Sequence, residues 1–373
     1  MSNLVFIGKY TLCEENRPAI AKRILNQVTY LARFHNIRVF TFSSLDSNLP
    51  FNRNLYANDR KKLSDFFRVP LYGLIIGFEL FKRKQEKNYL ILESNIEIFT
   101  IIPLFFARLL GYRIIHDVVE DFGLEEVRTF NQKLNFKVSN WYSNRLSKYC
   151  SGIMVISNKL LIKYKPTEVP IIKLYNSVES RQVNFDIERP NNFHLFYSGT
   201  FAPKDGVKEL IQAVIVLNKK RSDVHLDLVG KGDGQYFKDC IEMTRNYECI
   251  SYHGFLPESE MISLLERSHI LCVTRSNCAF ANFGFPFKLA EYLSFGLPVL
   301  TTTVSDIPEL LSDGETAFFA EPGNINSIAM KIESIINDYA KAKEVGKNGK
   351  DFCDSNFSIE KIGNQMNEFL VGI

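Results

Sequence analysis

Several common kinds of site have no raw material in this sequence. The seven cysteines (Cys13, Cys150, Cys240, Cys249, Cys272, Cys278 and Cys353) are scattered and odd in number, and none belongs to a C-x-x-C pair. That pattern excludes a disulfide framework or a cysteine-built zinc site and suits isolated thiols in a reducing compartment. There is no H-E-x-x-H, no G-x-S-x-G elbow and no metal-spaced His/Cys set, so zinc-protease and serine-hydrolase chemistry find no carriers and no metal is expected. Long apolar runs are missing too. The longest, 71–81 and 98–110 (the second broken by Arg108), fall short of the roughly 20 residues that cross a bilayer. Residues 1–7 lack a basic flank, so a secretory signal is not expected. A net charge of +3 supplies no global field, which argues against a nucleic-acid partner. Low-complexity tracts and solenoid repeats are absent.

What is present is an ordinary globular composition, 46% hydrophobic and 23% charged. A chain of 373 residues exceeds one α/β core and suits two domains of about 150–200 residues each. Short apolar runs alternate with helix-length amphipathic stretches almost from end to end, the signature of parallel sheets covered by helices. Residues 4–7, 38–42, 89–92, 113–115 and 153–156 read as strands of a first domain. Between the first two, Ile20, Ile24, Val28, Leu31 and Ala32 recur at helical spacing. Residues 179–192 are polar, contain Pro190 and carry neither period, so they read as a linker. A second alternation follows. Strands are expected at 193–197, 224–229, 250–252, 270–273 and 299–302, and helices over about 236–245, 258–267, 286–296, 326–342 and 359–369. The expected fold is therefore α/β: two Rossmann-like doubly wound domains facing a central cleft, with ligands at the carboxyl ends of the strands. The boundaries are 1–178, a linker at 179–192, and 193–356, with a C-terminal helix at about 357–373 packing back on the first domain.

Three loops of the second domain follow strands. The first, Gly199-Thr200-Phe201-Ala202-Pro203-Lys204-Asp205-Gly206, combines glycines that admit an anion to backbone N–H groups with a mobile cation, Lys204. An ordinary strand-to-helix turn with a solvated lysine is the plainer alternative. The second, Gly230-Lys231-Gly232-Asp233-Gly234, lacks the x-x-G of a dinucleotide fingerprint and is internal to the chain, so a nicotinamide site is not expected. The third is Phe283-Gly284-Phe285-Pro286-Phe287-Lys288-Leu289-Ala290-Glu291, running into Gly296-Leu297-Pro298-Val299. Lys288 and Glu291 share a helix face, a cation for a diphosphate and a carboxylate one turn on for ribose hydroxyls. In isolation such a pair would be a surface salt bridge. In the first domain, His116, Asp117, Glu120 and Asp121 cluster after the strand at 113–115, where a carboxylate could hold or deprotonate an acceptor hydroxyl. A polar loop with a helix cap is the alternative. Residues 52–88 mix lysines and arginines with Phe66, Phe67, Tyr72, Phe78 and Phe81, a composition that docks on an anionic membrane or forms a helix with one solvated basic face.

Taken in order, these blocks resemble the donor half of the GT-B glycosyltransferases, specifically the retaining family 4. Tyr197-Ser198-Gly199-Thr200 with Lys204-Asp205-Gly206-Val207 looks like its phosphate loop. Leu228-Val229-Gly230-Lys231-Gly232 and Tyr252-His253-Gly254-Phe255-Leu256 look like the next blocks, the segment 283–291 looks like its E-x7-E region, and Ile307-Pro308-Glu309-Leu310 with Asp313-Gly314 looks like the block after it. The likeness covers about 170 residues well and the first 150 only by order of elements. It implies a nucleoside-diphosphate-sugar donor, a saccharide or lipid-linked acceptor, retained anomeric configuration, and no cofactor or metal. It implies a cytoplasmic protein, with peripheral contact at the inner face of an anionic membrane. Glu291 would hold the ribose and Lys288 and Lys204 the diphosphate. Gly199, Thr200, Gly230, Phe255, Asn282, Gly284 and Phe285 would line the donor side, and the His116 cluster the acceptor side. Two departures stand out. Phe283 occupies the place of the first glutamate, for which Asn282 or Arg275 could substitute, and Thr200 and Asp205 stand where an arginine and a lysine are usual. A non-catalytic nucleotide-sugar-binding subunit or a sugar-nucleotide epimerase is the alternative.

Overall fold

The computed structural model describes residues 2–8, 19–41, 64–82, 84–93, 100–121, 130–181 and 190–373. The chain divides into two compact units, Met1–Ser177 with Ile359–Ile373, and Val178–Ser358. The greater part of the expected linker, residues 182–189, lies outside the described residues, as do residues 52–63 and 83 of the basic, aromatic stretch.

In the first unit, strands β1 (Ser2–Gly8), β2 (His35–Thr41), β3 (Asn88–Glu93), β4 (Arg113–Val118), β5 (Gly152–Val155) and β6 (Ile171–Lys173) form one parallel sheet in the order β2-β1-β3-β4-β5-β6. Strand order reverses between β1 and β3, the place where open α/β sheets leave a crevice at the strand ends. Both faces are covered. Leu4 and Phe6 point into a cluster with helix α1 (Ala19–Leu31), while Val5 and Ile7 point into a second cluster containing Ile76, Leu80 and Ala107 from helices α2 (Ser64–Lys82) and α3 (Ile101–Leu109). Each such side chain removed from water contributes about 1.5–3 kcal/mol, which is why these strands read as continuous apolar runs without alternation. Helices α4 (Phe130–Leu146) and α5 (Asn158–Tyr164) complete this part. The last helix of the chain, which spans Ile359–Gly372, also belongs to this unit. Met366 and Leu370 enter the α1 cluster, His35 Nε2 lies 2.8 Å from Asn367 Oδ1, and Tyr30 donates to Asn364.

The second unit holds β7 (Phe193–Phe201), β8 (Val224–Gly232), β9 (Ile250–Tyr252), β10 (Ile270–Val273), β11 (Val299–Thr302) and β12 (Phe318–Ala320), again all parallel, in the order β12-β11-β10-β7-β8-β9. Here the order reverses between β7 and β10. Helix α6 (Val207–Asn218) lays Val207, Leu210, Ile211, Val214 and Leu217 on Leu195, Leu226 and Leu228 of the sheet, with helix α12 (Ile325–Asn337) beside it. Helices α7 (Gly234–Arg245), α8 (Glu258–Glu266), α9 (Ala279–Phe283), α10 (Phe287–Leu293), α11 (Ile307–Leu310) and α13 (Tyr339–Asn356) complete this unit, and α14 is the Ile359–Gly372 helix of the first. The expected doubly wound α/β pair is present. Several details differ from expectation. The helix expected over 326–342 is two helices, because Asp338 leaves helical geometry (φ −129°, ψ 65°) and caps α13 by accepting from Lys341 N. Strands β7 and β8 run four and three residues beyond the expected 197 and 229, so their glycines lie inside paired strands. Strand β4 also runs on to Val118, which takes His116 and Asp117 into the sheet.

Candidate donor site of the second unit

The carboxyl ends of β7 and β10 meet where strand order reverses. A tight turn, 203–206, follows β7 and is fastened to the segment after β10. Ser276 N donates to the Lys204 carbonyl at 3.0 Å, Ser276 Oγ to the Pro203 carbonyl at 2.8 Å, and Thr274 Oγ1 to the Gly206 carbonyl at 3.1 Å. This clamp places Lys204 and Asp205 beside Arg275. From the other side, α10 carries Lys288, whose Nζ donates to Tyr197 Oη at 2.9 Å and lies 3.8 Å from Asp205 Oδ1.

Room for Lys288 is made by glycine. Gly199 has φ +145°, and a Cβ there would collide with the Lys288 ammonium. Its strand neighbour Gly230, in register with it at φ +133°, would drive a Cβ into the Gly199 carbonyl. An L-residue at either place would be strained as well as crowded. Gly199 is thus first of all the floor on which Lys288 rests.

The charges are unevenly matched. Asp205 and Glu291 favour the Lys288 cation, while Arg275 and Lys204 oppose it, and burial outweighs all of these, lowering the Lys288 pKa to about 8. Three cations therefore face two carboxylates. Arg275 is 9% exposed, and its Nε and Nη1 have no hydrogen-bond partner among the described residues. Asp205, 5% exposed, likewise has Oδ2 unpartnered. Leaving buried charged donors unsatisfied costs on the order of 1–3 kcal/mol per group, a cost that an oxyanion with several acceptor oxygens would remove. Chemically the recess can hold a phosphate-like group between a guanidinium and an ammonium.

Residues 180–352 match the family model described as glycosyl transferases group 1. That match spans nearly all of the second unit. Among curated relatives, an uncharacterized glycosyltransferase of Methanocaldococcus jannaschii is 32% identical over 51% of this chain and 50% of its own length. The capsular polysaccharide biosynthesis glycosyltransferase CapM of Staphylococcus aureus is 27% identical over 47% of this chain and 45% of its own. The chain thus spans about half the length of these curated relatives. The crystal structure of Anabaena HepE in complex with UDP and glucose superposes with a TM-score of 0.77 at 15% identity, covering 100% of both chains. That likeness establishes the GT-B fold.

Within the second unit, the expected donor residues separate into two groups. Lys288, Gly199 and Lys204 gather around the β7–β10 junction, where Lys204 Nζ stacks 3.4 Å from the Phe280 ring centroid. Glu291 is half-buried one turn beyond Lys288 on α10, and Thr200 is exposed at the end of β7. Phe255 is 46% exposed with Lys231 Nζ 5.0 Å from its ring centroid, and Gly230 takes a hydrogen bond from Tyr252 Oη at 2.9 Å. The second group is scaffold. Asn282 donates to Asn277 Oδ1 at 2.7 Å and to the Cys278 carbonyl at 2.9 Å, and it accepts from Ser305 N at 3.2 Å. Both hydrogens of its amide are therefore committed within the loop. Gly284 ends α9, and Phe285 is buried against the Phe357 ring at 5.7 Å. Helix α10 has only seven residues and starts after Pro286, shorter than the helix expected over 286–296.

In the first unit the four expected acceptor residues also part. His116 and Asp117 are fully buried. His116 Nδ1 lies 2.9 Å from Ser147 Oγ, and Asp117 Oδ1 is 3.0 Å from Arg23 Nη2. Both serve the interior, because β4 continues through them and points one to each face. Asp121 is paired with Lys163 Nζ at 2.6 Å, and Glu120 is exposed. Glu93, which ends β3 beside the reversal of strand order, is 2% exposed.

Proposed function

We propose that the chain is a retaining glycosyltransferase that moves a sugar from a nucleoside-diphosphate sugar to a hydroxyl of a saccharide or lipid-linked acceptor. The observation that carries this reading is the buried Arg275 guanidinium, with two donors unpartnered among the described residues, beside Lys288 at the junction of β7 and β10. A diphosphate satisfies that pair, and leaving-group charge that grows as the glycosidic bond breaks is stabilised by cations already in place. Arg275 takes the role of the arginine missing at Thr200. Glu291 binds the ribose, and Glu120 or Asp121 faces the acceptor. Neither a metal nor a cofactor is required in this scheme, since fixed cations neutralise the departing phosphate. The names of the relatives, a capsular polysaccharide enzyme and a protein crystallised with UDP and glucose, agree with it.

The test has two stages. A thermal-shift comparison of UDP and GDP identifies the base, and release of nucleoside diphosphate in the presence of an acceptor panel then follows transfer. Lys288→Ala or Glu291→Ala should sharply reduce transfer without unfolding the protein; near-normal activity in both variants would sink the assignment. Phe283, in place of an acid, favours a second reading as a nucleotide-sugar-binding subunit, which saturable UDP binding without turnover on any acceptor would establish.

The first unit supplies a membrane-facing surface in this proposal. Phe78 and Phe81 of α2, Phe105 and Leu109 of α3, and Trp141 of α4 are each more than half exposed. Cations sit against exposed rings, Lys82 over Phe78 at 4.5 Å and Arg145 over Trp141 at 5.2 Å. Apolar side chains rimmed by lysine and arginine suit the headgroup layer of an anionic leaflet, here the cytoplasmic face of a cell membrane. Among the described residues no helix is long and apolar enough to cross a membrane. Sedimentation with phosphatidylglycerol vesicles, compared with phosphatidylcholine vesicles, tests this surface; equal recovery would remove it.

A further inference from the structure

Three of the six histidines converge on one carboxylate in the second unit, between strands β7, β8 and the end of β9. His194 on β7 and His225 on β8 are register partners, and Asp227 lies two residues further along β8, on the same face by the two-residue period of a strand. That face is turned away from Leu195, Leu226 and Leu228, which enter the main core. His194 Nδ1 is 2.6 Å from Asp227 Oδ2, and His253 Nε2, just past β9, is 2.7 Å from Asp227 Oδ1. These two imidazoles already satisfy both oxygens of a carboxylate that is 3% exposed. A third, His225, is shared with Ser251, whose Oγ lies 2.9 Å from His225 Nε2. His225 Nε2 stands 3.8 Å from Asp227 Oδ1, with its ring centroid 4.8 Å from that of His194.

We propose that His194, His225 and Asp227 form a three-ligand site for a divalent transition-metal ion of the zinc class. Their ligand atoms all lie within 4.8 Å of one another. Metal–ligand bonds of about 2.0–2.1 Å in tetrahedral geometry put ligand atoms roughly 3.3 Å apart, so small side-chain rotations close the site. Two imidazoles and one carboxylate select zinc, cobalt or nickel over magnesium and calcium, which need more oxygen ligands. The side chains of His194 and His225 are 23% and 21% exposed, which leaves an entry path. His253 holds the free carboxylate oxygen and orients Asp227, the role of an outer-shell partner. Gly199 lies five positions beyond His194 and Gly230 three beyond Asp227, about 16 Å and 10 Å at the rise of a strand, so the ion would tie β7 to β8 and take no part in transfer.

Zinc chloride is titrated into the metal-free 373-residue chain in competition with a chromophoric chelator. The wild type should bind one equivalent of zinc more than the His194→Ala/His225→Ala variant, whose fold is checked by circular dichroism and whose UDP-induced thermal shift should be unchanged. His253→Ala should keep the stoichiometry and weaken the affinity by about 10–100-fold. Should the double variant fold poorly, His225→Gln, which retains a partner for Ser251, should weaken zinc by more than the His253 change does. Equal stoichiometry and affinity in wild type and His225 variants would overturn the site. Because UDP binding is read separately, failure here leaves the donor assignment standing, and the reverse also holds.

Discussion

Among the described residues each unit buries one arginine, and the two are treated in opposite ways. In the first unit Arg23, 1% exposed, spans Asp117 at 3.0 Å and donates from Nη1 to the Tyr175 carbonyl at 3.1 Å and to Asn176 Oδ1 at 3.3 Å. In the second unit Arg275 keeps Nε and Nη1 without partners among the described residues, and it opposes the charge of Lys288. Burial alone does not mark a functional residue. A buried charge whose every donor is matched is part of the scaffold, whereas one left unmatched is held ready for something that is not protein.

Substituting both arginines by methionine breaks or sharpens that contrast, and the largest effect belongs to Arg23. Arg23→Met strands the Asp117 carboxylate in the sheet and should destabilise the first unit by about 3–5 kcal/mol in chemical denaturation. Arg275→Met should leave stability unchanged or raise it, and weaken UDP by about 10–100-fold in calorimetric titration, the worth of a hydrogen bond to a charged group. If both variants unfold alike, the contrast is wrong. Gly199→Ala comes next. It forces Lys288 off its floor and strains a residue at φ +145°, costing about 1–3 kcal/mol, with a several-fold loss of UDP affinity.

The smallest effect is in pH. Burial lowers the Lys288 pKa to about 8, so its cation, and with it diphosphate affinity, should decline as pH rises through about 8. Stability should move the other way. Between about 8 and the ordinary lysine value near 10.4 the unfolded chain binds the proton that the folded chain has lost, so folding is favoured increasingly across that window. Asp205 supports the Lys288 charge, and Asp205→Asn should therefore shift the midpoint of the UDP-affinity profile below that of the wild type. An unmoved midpoint would show that Lys288 titrates independently of Asp205.

Much of the frame was legible from residue order. Strands β9, β10 and β11 lie where the apolar runs 250–252, 270–273 and 299–302 put them, because short runs buried on both faces leave little choice of register. The extensions of β4, β7 and β8 were not legible. His116 and Asp117, or Gly199 and Gly230, look like loop residues by composition, and only pairing with neighbouring strands carries them into the sheet. The acceptor assignment suffered most from this, since polarity after an apolar run was read as exposure. Lys288 could be found from its spacing to Glu291, but Asn282 could not be recognised as scaffold until its three hydrogen bonds within the loop were seen.

By itself, then, the sequence determined the alternation of strand and helix, the division into two halves, and the group 1 glycosyltransferase blocks of the second half. These are properties of period and local turn chemistry, which act over a few residues. Tertiary structure alone decided which charges meet. Arg275 and Lys288 come together because strand order reverses between β7 and β10. His194 and His253 reach Asp227 from 33 and 26 positions away because parallel strands bring side chains of equal parity onto one face. No spacing rule along the chain predicts such encounters, since they depend on which strand lies beside which.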